Sequence, residues 1–446
     1  MRHPIGHTLL ALFLVWTGPL STSYAMSLQQ AFEKALEQDA TIRASRAALS
    51  AGQERLPQAR AQLLPAVQAN ISFNRNSLDT TAPNFLGLDT TTSSFYNSSG
   101  KSLTLRQPLF NLQRYFHYEQ AKDYVLDAEA THQRNLQELA VRVGGAYMEA
   151  LLTQKQLELV QAQKQQYTSM VDAAKKALAA GTGTRTDIDD AQARLDMATA
   201  TELEARQNVE FTRRQLETLI NEPVDRLHEL DPARMDQMLP SLIPLDEWHQ
   251  LALDRSPEIR ALQARLDAAN KEISKSRAGH APTLEGVVQW SDSSNENVSR
   301  LNSRFVNSSI GLQLIVPIFQ GGAVSSQMRQ SVAEKIRAEE LLESARRDLQ
   351  LRIHREYRGV TEGELKVKAL EQALRSAQQL LISTRRSLQA GLRTTLDVLN
   401  VEQQLATVSR DLMQARYISL ISRLKLYTLS GMRPDQAIAE VATAFE

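Results

Sequence analysis

The residues that could carry out chemistry are few and scattered in this 446-residue chain. The segment GTGTRTD, residues 181–187, is rich in glycine and hydroxyl groups, but it lacks the lysine of a phosphate-binding loop and no strand pattern precedes it. The eight histidines do not cluster, and no serine lies in a G-x-S-x-G motif. The absence of cysteine excludes a cysteine nucleophile and a thiolate metal site. We therefore predict no enzymatic activity, no cofactor and no bound metal.

A short polar turn occurs twice and is the more informative pattern. Each copy has a glycine, then a threonine, then an aspartate three residues after the threonine: Gly181, Thr184 and Asp187, and again Gly391, Thr394 and Asp397. Glycine suits the left-handed residue that often ends a helix. Threonine followed by an acid at the third position resembles a capping box at the start of the next helix. Capping alone would explain these aspartates, and a functional role is compatible with it.

The first residues predict export from the cytoplasm. A basic start, an apolar run over residues 9–16 and a small-residue site at residues 23–25 are typical of a cleaved signal peptide, here residues 1–25. The apolar run is shorter than the roughly 20 residues that a membrane-spanning helix requires, which makes an uncleaved anchor the less favoured alternative. Lysine plus arginine equals aspartate plus glutamate, 51 each, so the overall charge gives no indication of a nucleic-acid partner.

The rest of the sequence contains an internal repeat. Tyr147 precedes Tyr357 by the same interval that separates the two polar turns, and earlier leucine and isoleucine positions also match. Both tyrosines lie in helical patterns, where packing is the expected role. We predict a first repeat over residues 26–220, a linker over 221–244 that packs against the helices midway, a second repeat over 245–431 and a short tail over 432–446.

Each repeat contains a β-hairpin pattern, over about residues 66–108 and 283–317. Val67, Ile71 and Phe73 alternate with polar residues, and this period of two is typical of a strand with one apolar and one polar face. Such strands suit a membrane barrel with lipid outside and water inside. The polar stretches at residues 75–100 and 291–309 have little to bury, and we predict loops there.

Two very long helices follow the hairpins. Apolar residues recur every seven positions in each, as at Val143 and Val171 in the first and at Ile353 and Val360 in the second, with Lys164 the one polar interruption. This spacing predicts coiled-coil packing. At about 1.5 Å per residue, a helix of roughly 65 residues is about 100 Å long. Four strands cannot close a membrane barrel, so the chain must associate with copies of itself; two would supply eight strands, and three would supply twelve and room for a channel.

The arrangement resembles the TolC family of outer-membrane efflux and secretion ducts over essentially the whole mature chain. Four phrases carry the resemblance: QPLFN, VPIFQGG, ALAAGTGTRTDIDDAQARLD and SLQAGLRTTLDVLNVEQQLA. It implies an internally duplicated α+β membrane protein and a homotrimer. In such a trimer each chain gives four strands to a shared barrel in the lipid of the outer membrane. Its helices form a cylinder through the periplasm, which meets a periplasmic adaptor protein and an inner-membrane transporter.

The resemblance also implies roles for the residues of the two turns. It makes Asp187 and Arg393 ionic partners at a periplasmic gate, and it places Asp397 at a constriction. Asn400 takes the next constriction position, where relatives carry a second carboxylate, which predicts a weaker acidic ring. The adaptor-contacting residues that it implies are Gly181, Thr184, Gly391 and Thr394.

The function that follows is an exit duct without chemistry of its own. The missing lipidation cysteine favours type I protein secretion, with an ABC exporter as partner, over a multidrug efflux pump of the proton-driven RND type. A periplasmic coiled-coil scaffold, whose strands never enter a membrane, is the alternative of another class.

Overall fold

The computed structural model describes residues 25–238, 243–296 and 302–445. Apart from Ala25, the predicted signal peptide lies outside the described residues. Among the residues that are described, no helix is both long enough and apolar enough to cross a bilayer.

A similar order of elements occurs twice along the chain, with the single helix α8 of the second set in the place of α2 and α3 of the first. The first set is α1 (Leu28–Gln38), α2 (Ala40–Gln53), α3 (Arg55–Ala61), β1 (Ala66–Pro83), β2 (Asp89–Phe110), α4 (Leu112–Ala179) and α5 (Arg185–Ile220). After α6 (Pro232–Met238), the second set is α7 (Leu245–Arg255), α8 (Pro257–Arg277), β3 (Thr283–Asn295), β4 (Ser303–Ile315), α9 (Ala323–Gln389) and α10 (Thr395–Leu429). A last helix, α11 (Pro434–Ala442), leads into a turn of 3₁₀ helix at Thr443–Phe445.

The two longest helices, α4 and α9, run along most of the helical part of the molecule. Helix α4 has 68 residues and α9 has 67, so each is about 100 Å long at roughly 1.5 Å per residue. Helix α4 packs along α5, and α9 packs along α10; we call these the first and second helix pairs. Val143, Val171, Ile353 and Val360 are buried, as the seven-residue spacing predicts.

The largest apolar core lies midway along the helix pairs and holds both ends of the described chain. Tyr147 in α4 is fully buried, and its hydroxyl donates to the carbonyl oxygens of Met26, at 2.9 Å, and His228, at 3.2 Å. The ring of Phe445 meets the Tyr147 ring edge to face, with centroids 5.5 Å apart. Arg423 in α10 is buried and donates to the carbonyl oxygen of Met238. These two hydrogen bonds tie His228 and Met238 to the helix pairs.

The four strands form one antiparallel sheet in the order β1-β2-β3-β4. The prediction of long polar loops was wrong. The β1–β2 ladder runs without interruption from Ala66 opposite Arg106 to Pro83 opposite Asp89, so only residues 84–88 lie between the strands. In the second hairpin the strands extend to Asn295 and from Ser303, and residues 297–301 lie outside the described residues.

Backbone pairing explains why the polar stretches are strands. A strand needs partners for its backbone N–H and C=O groups, and burial of side chains is not required. Threonine is also favoured in strands, and here Thr81 and Thr91 share a hydrogen bond across the ladder, 2.8 Å between hydroxyl oxygens. The Asn84 side chain closes the turn by accepting from the backbone N–H groups of Leu86 and Leu88.

We expect Tyr147→Phe to destabilise the protein by roughly 1–2 kcal/mol, because the carbonyl oxygens of Met26 and His228 lose the hydroxyl proton that they share. The measurement is urea unfolding of the purified protein in detergent. Tyr357→Phe is the matched control, since Tyr357 holds the equivalent place in the second repeat. A loss of stability as large for Tyr357→Phe as for Tyr147→Phe would contradict the role given to the Tyr147 hydroxyl.

Candidate functional site

The turn between α4 and α5 is built by a glycine and a capping box. Gly181 has a backbone φ of +73°, in the left-handed region where glycine is favoured. The Asp187 carboxylate accepts from the backbone N–H of Thr184 at 2.9 Å, and the Thr184 hydroxyl accepts from the backbone N–H of Asp187 at 3.2 Å. The predicted capping role is confirmed, because both bonds of a capping box are present.

The turn between α9 and α10 has the same geometry. Gly391 has a φ of +76°. Asp397 accepts from the backbone N–H of Thr394 at 2.8 Å, and the Thr394 hydroxyl accepts from the backbone N–H of Asp397 at 3.2 Å. The two turns therefore have the same construction. In each, the glycine adopts the left-handed conformation, and the threonine and the aspartate form the capping box that starts the next helix.

Both capping aspartates are held in the ionised form. The hydrogen bond from the Thr184 hydroxyl, followed by the one from the Thr184 backbone, lowers the pKa of Asp187 below its usual value. For Asp397, the backbone bond from Thr394 is the larger cause of the lowered pKa, and the Thr394 hydroxyl comes next. These carboxylates are thus negative throughout the neutral range.

The predicted pair between Asp187 and Arg393 is not formed among the described residues of one chain. Arg393 instead approaches the aspartate of its own turn, with 3.6 Å between its Nη1 and Oδ1 of Asp397. The reason is local: Arg393 directly precedes the cap Thr394, and the same cap holds the Asp397 carboxylate at the start of α10. Asp187 uses its carboxylate for the Thr184 cap.

Asn400 does contact the other helix pair, through an arginine that the sequence did not single out. Arg194 in α5 donates from Nη2 to Oδ1 of Asn400 at 2.9 Å, and from Nη1 to Oε1 of Gln403 at 3.1 Å. Its Nε lies 3.5 Å from Oδ2 of Asp190. Among the residues that the structure describes, no other side chain hydrogen-bonds the first helix pair to the second. The only signal in the sequence was a cation seven residues after the first capping aspartate.

A buried glutamate also ties the two helices within each pair. Glu202 in α5 accepts from Lys164 in α4 at 2.8 Å and from Arg206 at 2.6 Å. Glu402 in α10 accepts from Arg385 in α9 at 2.5 Å. Lys164, the one polar interruption of the seven-residue spacing, is therefore a partner for a buried carboxylate. Its bond, then the one from Arg206, lowers the pKa of Glu202 to about 2.

In the described part of the chain, no cluster of histidine, aspartate and glutamate could hold a metal ion. What the geometry offers is two capped helical turns and one polar contact between the helix pairs. Such an arrangement can hold helices together or let them part.

A profile of the family described as "Outer membrane efflux protein" matches residues 31–222 and 248–432. The chain belongs to this family. The predicted relation to TolC-type channels is thereby confirmed, as are the duplicated fold, the outer-membrane location and the function of an outer-membrane exit duct.

This outer membrane efflux protein is similar to two secretion proteins and to a channel of known structure. The proteases secretion protein PrtF of Dickeya chrysanthemi is 30% identical, over 95% of this chain and 92% of that protein. The alkaline protease secretion protein AprF of Pseudomonas aeruginosa is 31% identical, over 95% of this chain and 88% of that protein. The crystal structure of the Campylobacter jejuni CmeC outer membrane channel matches with a TM-score of 0.78 at 14% identity, over 99% of this chain and 98% of that one, which shows a shared fold. These similar proteins are channel and transport proteins.

We expect Glu202→Gln to lower the thermal midpoint of the protein by a few degrees at pH 7, because Lys164 loses its charged partner. The measurement is circular dichroism in detergent, with the exposed neighbour Glu204→Gln as control. A carboxyl whose pKa is lower in the folded state stabilises above its unfolded pKa and loses that effect as pH falls through the folded value. The difference from wild type should therefore shrink as the pH is lowered from about 4 towards 2. A difference independent of pH would contradict this.

Proposed function

We propose that three copies of this chain form the exit duct of a type I protein secretion system. One observation carries the choice of cargo: the two proteins named for protease secretion resemble this chain along nearly their whole lengths, at 30% and 31% identity. The absence of cysteine, which rules out a lipidated cysteine at the mature N-terminus, agrees with this choice.

The unpaired edges of the sheet support association with other copies. β1 and β4 each have a partner on one side only, so their outer backbone groups are free to pair with another chain. In hydrocarbon every backbone group must be paired, and joining β4 of one copy to β1 of the next would achieve this. Three copies give twelve strands and space for a channel.

The helix pairs also carry apolar side chains that the described part of the chain leaves exposed. Met197 and Phe211 in α5 and Leu351 and Leu365 in α9 are each at least two-thirds exposed. Apolar side chains that face water cost free energy, and a contact with another chain would remove that cost. Neighbouring copies in a ring would cover these side chains.

The two capped turns give the duct a periplasmic end. Gly181, Thr184, Gly391 and Thr394 are exposed or nearly so, and we assign them to contact with the adaptor protein. The chain has no nucleotide-binding motif. The inner-membrane ABC transporter must then supply the energy of export. Asp187, Arg393, Asp397 and Asn400 would form the gate at this end. We assign residues 1–25 to a signal peptide that is removed on export.

Complementation in Pseudomonas aeruginosa tests the proposed cargo. We expect a strain that lacks AprF to regain extracellular alkaline protease when it expresses this chain. Empty vector is the negative control, and restored AprF is the positive control. If the chain reaches the outer membrane as a trimer and no protease leaves the cell, secretion is the wrong assignment. Recovery of drug resistance in a strain lacking its efflux duct would then favour the pump alternative.

The gate assignment predicts that Arg393→Ala raises the conductance of the trimer in planar lipid bilayers, because the turn loses a charge contact. Arg410→Ala, on the exposed part of α10 and away from the turn, is the matched control. Equal conductance of the wild type and Arg393→Ala would remove Arg393 from the gate.

A further inference from the structure

A groove of about 410 Å³ lies where α4 of the first repeat meets three helices of the second repeat. Its walls come from α4, the start of α8, the middle of α9 and the last turns of α10. None of the residues assigned to the gate or to the adaptor contact lines it. We propose that this groove binds a small oxyanion, a carboxylate or a phosphate group, at the start of α8. This site goes beyond the proposed function and does not depend on it.

The first repeat holds an anion of its own at the equivalent place. Asp39 is the cap of α2, and its carboxylate accepts from the backbone N–H of Ile42 at 2.9 Å. Arg142 in α4 adds a positive charge, with its Nη2 3.4 Å from the same carboxylate. Asp39 is only 5% exposed. This helix start thus binds a carboxylate away from water, as the free N–H groups and the dipole of a helix N-terminus favour.

The second repeat has the same helix start without the carboxylate. Ser256 is the cap of α8 and holds the position of Asp39, three residues before a matching isoleucine. Its side chain makes no capping hydrogen bond. The N–H groups at the start of this 21-residue helix therefore lack the side-chain partner that Asp39 gives to α2.

The Ser256 hydroxyl is a free donor at the edge of the groove. The residue is 4% exposed, and among the described residues its side chain has no hydrogen-bond partner. Ser256 lines the groove, and its oxygen is not one of the fully enclosed unpaired atoms. The small surface that the residue keeps therefore includes the hydroxyl and opens into the groove. The hydroxyl can donate to an oxygen atom that enters there.

Charge pairing around the groove leaves one cation without a partner. Three arginines that line it each hold a glutamate that also lines it: Arg134 with Glu138 at 3.0 Å, Arg352 with Glu258 at 2.6 Å, and Arg355 with Glu356 at 3.0 Å. Arg142 is taken by Asp39. Lys425 in α10 also lines the groove and is half-buried, and in the described part of the chain its ammonium has no ion pair or hydrogen bond. An oxyanion would balance this charge.

The two repeats carry opposite charges at this place. In the first repeat the cap is the carboxylate of Asp39, and the position equivalent to Lys425, by the interval that relates the two tyrosines, is the neutral Gln215 in α5. In the second repeat the cap is a hydroxyl and the lysine is present. A ligand with one carboxylate or phosphate group would restore at α8 the arrangement that Asp39 gives to α2.

Thermal unfolding of the purified protein in detergent, followed by circular dichroism, tests the site. Acetate and inorganic phosphate are titrated separately at pH 7, with sodium chloride keeping the ionic strength constant. We expect at least one of them to raise the thermal midpoint by a few degrees and to saturate. The reason is that a ligand of the folded state stabilises it by RT ln(1 + [L]/Kd). The salt that gives the rise at the lower concentration identifies the ligand group as carboxylate or phosphate.

Two variants separate the site from a general effect of salt. Ser256→Asp supplies the carboxylate that Asp39 provides in α2, so we expect it to raise the midpoint without added anion and to abolish the response to anion. Lys425→Gln copies the first repeat and should remove most of the response. Lys366→Gln is the matched control, because Lys366 is exposed on α9 and does not line the groove. Its response should equal that of the wild type.

Three results would overturn the site. One is a wild-type midpoint that neither anion raises in a saturable way. The second is an equal rise in the wild type and in Lys425→Gln. The third is a full response to anion in Ser256→Asp, which decides the matter even where Lys425→Gln fails to fold. These measurements use neither cargo nor conductance, so a failure here leaves the proposed duct as it stands.

Discussion

Pairing of backbone groups is the constraint on which the rest of this structure depends. The four strands satisfy one another along long, regular ladders and leave an open edge on β1 and another on β4. In an outer membrane, neither edge can stay open, because lipid offers no hydrogen bonds. The same chain leaves apolar side chains uncovered on α5 and α9. A neighbouring copy on each side would both pair the open strand edges and cover the exposed apolar side chains.

The two repeats share their helices, strands and capped turns. They differ in several side-chain contacts. The two capped turns are alike in every hydrogen bond of the capping box. Tyr147 and Tyr357 occupy equivalent positions, yet the hydroxyl of Tyr147 donates to the carbonyl oxygens of Met26 and of His228 in the linker. Asp190 and Asn400 are also equivalent, and Arg194 lies near both, 3.5 Å from the Asp190 carboxylate and 2.9 Å from the Asn400 amide oxygen. The sites of interest are therefore where the two repeats diverge.

Much of this could be read from the sequence because it depends on local periodicity. The seven-residue spacing predicted the long helices, and Thr184 and Thr394 predicted the caps, since each of these signals lies within a few residues. The prediction of polar loops was wrong because a strand does not require buried side chains: Thr81 and Thr91 are held by the backbone ladder and by the hydrogen bond between their hydroxyls. Arg194 could not be predicted. Its partners lie about 200 residues away, and their register depends on how two helix pairs pack.

The capping boxes and a gate at the turns are compatible because each aspartate has two oxygens. In Asp397, Oδ2 accepts the cap bonds from Thr394, and Oδ1 is the atom that Arg393 approaches. Breaking the cap would cost the start of α10, so opening cannot proceed through loss of these carboxylates. A gate at the turns would therefore keep each helix pair intact, since Glu202 and Glu402 tie the two helices within each pair. Among the described residues, the side-chain hydrogen bonds between the pairs are those of Arg194 with Asn400 and Gln403.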